Sequence, residues 1–310
     1  MSLFPPSLDI IQGLYSEDVI FHYTKASTAI DYILFKNQLR FTPSKNSSDP
    51  IESVESIISI KSEYDIYSEE IQKKNALFIN KLIEKTSSLD ENFHQICFCK
   101  NNKSDKKEYY FQGFKYYEEL FGFTKSRMWD QYAEKYTGVC LAFSKEKLIS
   151  ANKSRLKLIT GNVKYFSFSK LENEKLEDLN EDFLNKVGED KFTKIALKKI
   201  INGYFIKHRD YKGESEFRIG VQFDKELCNY EKIRGKYIVG KSIMLEIKDS
   251  LKAIIVSNFT NEKQKEDLYY YSIKYDIPII EIEWKSNRIE LTDLKDKKSF
   301  YEQKETFSRV

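Results

Sequence analysis

Proline and glycine are scarce in this chain of 310 residues, at 5 and 11, so no Pro/Gly-rich linker divides it into separate folding units. One α+β domain over 1–310 is expected, with helical or charged insertions near 52–90, 100–127 and 168–190. Cysteine is also scarce. Two of the 4 cysteines stand as Cys97-Phe98-Cys99, too close to bridge comfortably, so a disulfide framework is excluded and the thiols read as small buried hydrophobes. Runs of apolar residues are short. None approaches the roughly 18 to 20 needed to cross a bilayer, and no basic segment with an apolar stretch and cleavage site opens the chain. A cytoplasmic protein with no membrane partner is therefore expected. Charge of one sign is missing as well: 51 basic residues meet 48 acidic ones, a net +3, which permits a nucleic-acid partner without implying one. There is no Gly-rich phosphate loop, no Gly-x-Ser-x-Gly elbow and no His-Glu-x-x-His, which argues against common ATPases, α/β hydrolases and zincins.

Apolar volume, by contrast, is plentiful. The hydrophobic fraction is 41% and 15% of the residues are aromatic, enough for a sizeable core. Val19 to Tyr23 is a β-rich run, and Ala26, Ala29, Ile30, Ile33 and Leu34 then recur at helical spacing. Leu39 to Phe41 is extended, and Ser44 to Pro50 is a polar loop on which chemistry could sit. A mostly helical, charged stretch runs from Ile51 to about Ser87, Gln95 to Cys99 is a short strand, and Asn101 to Lys107 is a charged loop. Met128 to Ala133 has helical spacing, whereas Gly138 to Phe143 is apolar on both faces, as in a fully buried strand. After an acidic segment from Leu171 to Gly188, a helix is expected whose face runs from Leu197 to His208. Further strands are expected at Ser242 to Ile247, Leu251 to Val256 and Ile277 to Trp284, with a helix over Gln264 to Asp276. The fold class is α+β, a mixed, mainly antiparallel central sheet with helices packed around it.

Three constellations could carry chemistry. In Glu214 to Val221, strict alternation sets Ser215, Phe217, Ile219 and Val221 on one face and Glu214, Glu216 and Arg218 on the other. Two carboxylates about 6 to 7 Å apart along a strand can divide labour, one ionised and one handling a proton. The same Glu-x-Glu-x-Arg also reads as an exposed face with Arg218 as a charge partner. His22 and Tyr23, at the end of the first strand, are a hydrogen-bonding ring beside a ring that can stack on a heterocycle, although a lone His at a strand end is commonly structural. Met128, Trp129 and Tyr132 share a helical face and read as core with a pocket wall. His94, Cys97 and Cys99 lack the second ligand pair that zinc requires, so no metal is assigned.

Taken in order, these segments resemble the bacterial domain-of-unknown-function family two-nine-seven-one. The resemblance rests on Phe21-His22-Tyr23, Ile33-Leu34, Ser48-Asp49-Pro50-Ile51-Glu52, Cys97-Phe98-Cys99, Met128-Trp129 with Tyr132-Ala133, Gly138 to Phe143, and Lys207, Tyr211, Glu214, Glu216 and Arg218. Departures stand at Ser48, Ile51, Cys99 and Tyr211, where the family has Asn, Phe, Ser and Trp. The layout is similar to that of ADP-ribosyltransferases, by fold-level analogy. It implies NAD as substrate, held by His22 and Arg218 with Tyr23 or Tyr32 stacking, and Glu216 as catalytic carboxylate with Glu214 deprotonating a nucleic-acid or protein acceptor. The implied setting is defence against phage or a toxin. Two other classes stay open: a noncatalytic nucleic-acid-binding or interaction module, and a metal-dependent nuclease using Asp49, Glu52, Glu214 and Glu216.

Overall fold

The computed structural model describes residues 3–44, 69–102, 109–111, 114–116, 121–167, 179–222, 229–233, 236–285 and 288–298. The loop bearing Asp49 and Glu52 lies outside them, as do most of the charged loop after Asn101 and most of the acidic segment after Leu171. In chain order the elements are α1 (Leu8–Tyr15), β1 (Val19–Thr24), α2 (Ala26–Thr28) running on into a π-helical turn (Ala29–Leu34), β2 (Gln38–Arg40) and β3 (Thr42–Pro43). Then come α3 (Glu69–Asn92), β4 (Phe93–Lys100), β5 (Tyr109–Phe111), β6 (Phe114–Tyr116), α4 (Ser126–Tyr132), β7 (Val139–Ser144), α5 (Lys145–Asn152), β8 (Ile159–Asn162) and β9 (Lys164–Phe166). The chain continues with α6 (Glu181–Val187), α7 (Glu189–Gly203), β10 (Ile206–His208), a 3-10 turn (Arg209–Glu214), β11 (Glu216–Gln222), β12 (Asn229–Ile233), β13 (Lys236–Ser242) and β14 (Met244–Glu246). It closes with β15 (Leu251–Ser257), α8 (Glu262–Lys274), β16 (Ile279–Lys285) and β17 (Arg288–Asp293).

Among the described residues nine strands form the central sheet, in the order β17-β16-β15-β7-β1-β4-β11-β8, with β3 also paired to β4. Only β15 and β16 run parallel in it, so the expected mixed, mainly antiparallel α+β architecture is found. The helix read as continuing to His208 instead stops at Gly203, and His208 lies in β10, paired to β9. No described helix is long and apolar enough to cross a membrane.

The core arises from alternation. On one face Ile20, Phe98, Leu141, Phe143, Phe217 and Ile254 pack under α5, α8 and the π-helical turn. On the other, Phe21, Cys140, Ala142 and Ile255 pack against Ile11 and Leu14 of α1 and Trp129 of α4. β7 is therefore apolar towards both layers, as its sequence predicts, and each large side chain so buried contributes about 1.5–3 kcal/mol. A separate cluster around Leu82, Leu184 and Phe192 joins α3, α6 and α7.

The sheet is split in its middle. β1 pairs with β7 along its whole length but with β4 only at Ile20↔Lys100 and Phe21↔Cys99. Beyond Phe21 the two strands part, and β3 meets the freed edge of β4 at Thr42↔Gln95 and Pro43↔His94. A proline is tolerated there because β3 is a short edge strand. At the far side of β4 a glycine is required: a Cβ on Gly220 would meet the Phe93 ring at 2.2 Å. That close approach lets Phe93 stack on Tyr204, with centroids 3.9 Å apart.

Candidate functional site

A cavity of 690 Å³ opens where β1 leaves β4, within the 300–1,000 Å³ typical of ligand sites. His22, Cys97, Tyr132, Lys207, Glu214 and Glu216 all contribute to its lining. The strand pairing explains part of this convergence. Glu216 faces Cys99 and Arg218 faces Cys97 across the β11–β4 ladder, so all four side chains share the sheet face opposite Phe98 and Phe217.

Glu214 is not on that strand. The chain leaves β10 through the 3-10 turn and reverses at Ser215, which adopts a left-handed conformation (φ 48°, ψ 51°), so β11 begins only at Glu216. The predicted alternation from Glu214 fails at this residue. A non-glycine residue stays in that region only when its surroundings hold it, and here the Ser215 hydroxyl bonds the Asn102 side chain. Lys125 Nζ adds bonds to the Glu214 carbonyl and to Asn102 Oδ1, each 3.1 Å. The reversal brings the two carboxylates together after all, around one ammonium group: Lys207 Nζ is 2.9 Å from Glu214 Oε2 and 3.6 Å from Glu216 Oε2.

Arg218 completes the cluster. Its Nε and one terminal nitrogen reach the two oxygens of Glu216 at 2.6 and 3.0 Å, and its other terminal nitrogen donates to the Tyr204 carbonyl at 2.6 Å. Glu214, Glu216, Lys207 and Arg218 are each no more than 5% exposed, so the open, solvated face of the alternative reading is not found. Two anions and two cations balance, as burial demands. Burial pushes the Glu216 carboxyl up, but Arg218, Lys207 and a hydrogen bond from Cys97 outweigh it and hold the group below its usual range, so it is ionised at neutral pH. Tyr132 donates to Glu214 Oε1 at 3.1 Å, and burial together with that carboxylate raises its phenol, which keeps its proton. The Tyr211 ring lies 4.2 Å from Lys207 Nζ and caps the ammonium group.

The other predicted residues are placed differently. His22 alternates with Phe21, so its ring lies on the opposite sheet face from Glu216, 5.6 Å from Phe98, with β4 between their strands. Its Nδ1 is 3.1 Å from the Cys97 carbonyl, and burial lowers its pKa despite that bond. A neutral ring donating from Nδ1 leaves Nε2 as an acceptor. Tyr23 is committed to the core, its hydroxyl donating to the Gly122 carbonyl at 2.5 Å and its ring edge-on to Trp129 at 5.5 Å. Tyr32, 56% exposed, lines the cavity from the π-helical turn. Thus Glu214, Glu216 and Arg218 are brought together, His22 reaches the same cavity through the split, Tyr32 stands on its wall, and Tyr23 also lines it while its ring meets Trp129 edge-on.

Sequence reasoning underrated three residues. Lys207 entered only through the family pattern, and Tyr132 only as a pocket wall. Cys97 read as a buried hydrophobe, yet it is exposed, while Cys99 and Cys140 are buried. Its signal was available: Cys97 and Cys99 alternate with Phe98, which places both thiols on the side of Glu216. By the same alternation His94 points to the opposite face from Cys97 and Cys99. Among the described residues no group of three or more His, Cys, Asp or Glu could hold a metal ion. For the nuclease reading, Lys207 and Arg218 already neutralise Glu214 and Glu216, which leaves little charge for a divalent cation.

A family model described as protein of unknown function (DUF2971) matches residues 128–219, the span from Met128 through the charged cluster to Ile219. The family resemblance carried by the motif order holds over that span. No curated protein and no solved structure gives a match.

Proposed function

With the span from Met128 to Ile219 assigned to a family whose description names no activity, we propose that the protein is an ADP-ribosyltransferase-like enzyme. It cleaves the nicotinamide–ribose bond of NAD and transfers ADP-ribose to a macromolecular acceptor, in defence against phage or as a toxin. The observation that carries this reading is the convergence of Glu214 and Glu216 on Lys207 in the wall of the cavity that also holds His22. The cavity's polarity suits NAD. Its carboxylates match a group that becomes cationic during reaction.

When the bond between the nicotinamide nitrogen and ribose C1′ breaks, its electron pair leaves with the nicotinamide, and positive charge develops on the sugar. Glu216, ionised and held rigid by Arg218, stabilises that charge without reorganising. The acceptor's nucleophile then bonds C1′ and loses its proton to Glu214, which Tyr132 and Lys207 orient. His22, through Nε2, accepts from a ribose hydroxyl. The test is nicotinamide release from labelled NAD with mixed DNA, RNA and protein acceptors. Glu216→Gln is expected to lower the rate by about a hundredfold to a thousandfold. Wild-type protein that neither binds nor cleaves NAD would overturn the reading.

One observation favours a second reading. The bidentate Arg218–Glu216 pair uses both oxygens of that carboxylate, as a structural clamp would. In that case the cavity serves a noncatalytic binding module, and Glu216→Gln changes stability while no NAD binds.

A further inference from the structure

The part of the cavity lining that follows β1 has its own chemistry. The π-helical turn Ala29–Leu34 carries Ile33 and Leu34 into the core and leaves Tyr32 outside, 56% exposed, and Phe35, the residue that caps it, is 68% exposed. Lys36 Nζ lies 5.4 Å from the Tyr32 ring centroid, and both residues line the cavity. Arg40, exposed at the end of β2, lines it too. Asp31 is the acid of this turn, and it acts on Tyr271 of α8.

Flat exposed rings interleaved with cations at the edge of a ligand cavity suit one class of partner. Bases stack on aromatic faces whatever their sequence, and the intervening phosphates meet the Lys and Arg side chains. A duplex hides its base faces, and an acidic protein segment offers charge without flat rings. We infer that the Tyr32–Phe35 turn with Lys36 and Arg40 is a docking surface for single-stranded nucleic acid, and that this strand is the ADP-ribose acceptor. The second half rests on the NAD reading above, whereas docking stands without it. Tyr32 lines the same cavity as Glu214 and Glu216, so a strand lying across Phe35 and Tyr32 would meet that cavity.

The experiment is fluorescence anisotropy of the full chain with short labelled single-stranded DNA and RNA, a duplex of equal length and a poly-glutamate peptide, alongside nicotinamide release. Single strands are expected to bind more tightly than the duplex. Phe35→Ala, at a site too exposed to endanger folding, should weaken them by about five- to a hundredfold. Lys36→Gln should reduce the slope of log K against log salt by about 0.7. Equal binding of strand and duplex, or strand binding that neither substitution alters, would overturn the docking surface. Phe35-dependent capture of the peptide instead would assign the face to a protein partner. Strand binding without nicotinamide release defeats the NAD reading and leaves the surface standing, whereas NAD cleavage with no strand binding does the reverse.

Discussion

β7 and β11 are buried alike, each along nearly its whole length, yet they bury opposite kinds of chemistry. β7 places Cys140 and Ala142 against one layer and Leu141 and Phe143 against the other, and dispersion with burial holds it. β11 packs Phe217, Ile219 and Val221 on one side but turns Glu216 and Arg218 into a closed polar layer on the other. Burying those charges costs several kcal/mol per ion before pairing offsets it. A fold seeking stability alone has no reason to choose the second arrangement. The difference lies at the cavity: Glu216 of β11 lines it, whereas no residue of β7 does.

The largest test of this contrast is Arg218→Met. Leaving Glu216 buried without its bidentate partner should destabilise the protein by about 3–5 kcal/mol in denaturant unfolding. The double variant Glu216→Met with Arg218→Met should recover most of that loss while NAD cleavage stays absent. A double variant as unstable as the single one would break the comparison. The pair also sets acid sensitivity. Because Glu216 has a folded pKa below its ordinary 4.5, its contribution is complete above that value and is lost as pH falls through the folded pKa. Thermal melts below about pH 4.5 should therefore fall more steeply in the wild type than in the double variant.

Tyr132→Phe sharpens the comparison by removing a bond to a buried carboxylate, at about 1.5–3 kcal/mol, with a larger effect on turnover than a core change of equal cost. Ile254→Val, beside β7 in the dry half of the sheet, should cost only about 0.5–1.5 kcal/mol and leave turnover unchanged. The smallest effect concerns His22. Its folded pKa lies below the ordinary 6.5, so the unfolded chain takes up a proton first and stability declines as pH drops below about 6.5. His22→Gln should flatten the melting temperature between pH 7 and 5.5.

Elements that bury apolar residues were legible in the residue pattern. β7 reads as apolar on both faces, β15 and α8 fall close to their predicted bounds, and the buried positions Ala26, Ala29, Ile33 and Leu34 were read from helical spacing. The π-helical geometry of that turn was not legible, since the same apolar spacing fits an α-helix. Nor was the break at Ser215, because Glu214 to Val221 alternates without a glycine or proline at that position to mark it. The charged site was legible as a set of residue types and not as an arrangement.

The sequence by itself determined which residues are apolar, at what period they recur, and that two glutamates and an arginine stand near one another in the chain. Those are local properties, and burial of apolar surface makes them sufficient to choose strands and helices. Only the tertiary structure decided that β1 leaves β4 after Phe21, that Ser215 turns Glu214 back towards Lys207, and that His22 meets the cavity from the other side of the sheet. Each of these depends on pairing between segments far apart in sequence, where strand register and the balance of buried charge are set by partners that no single segment contains.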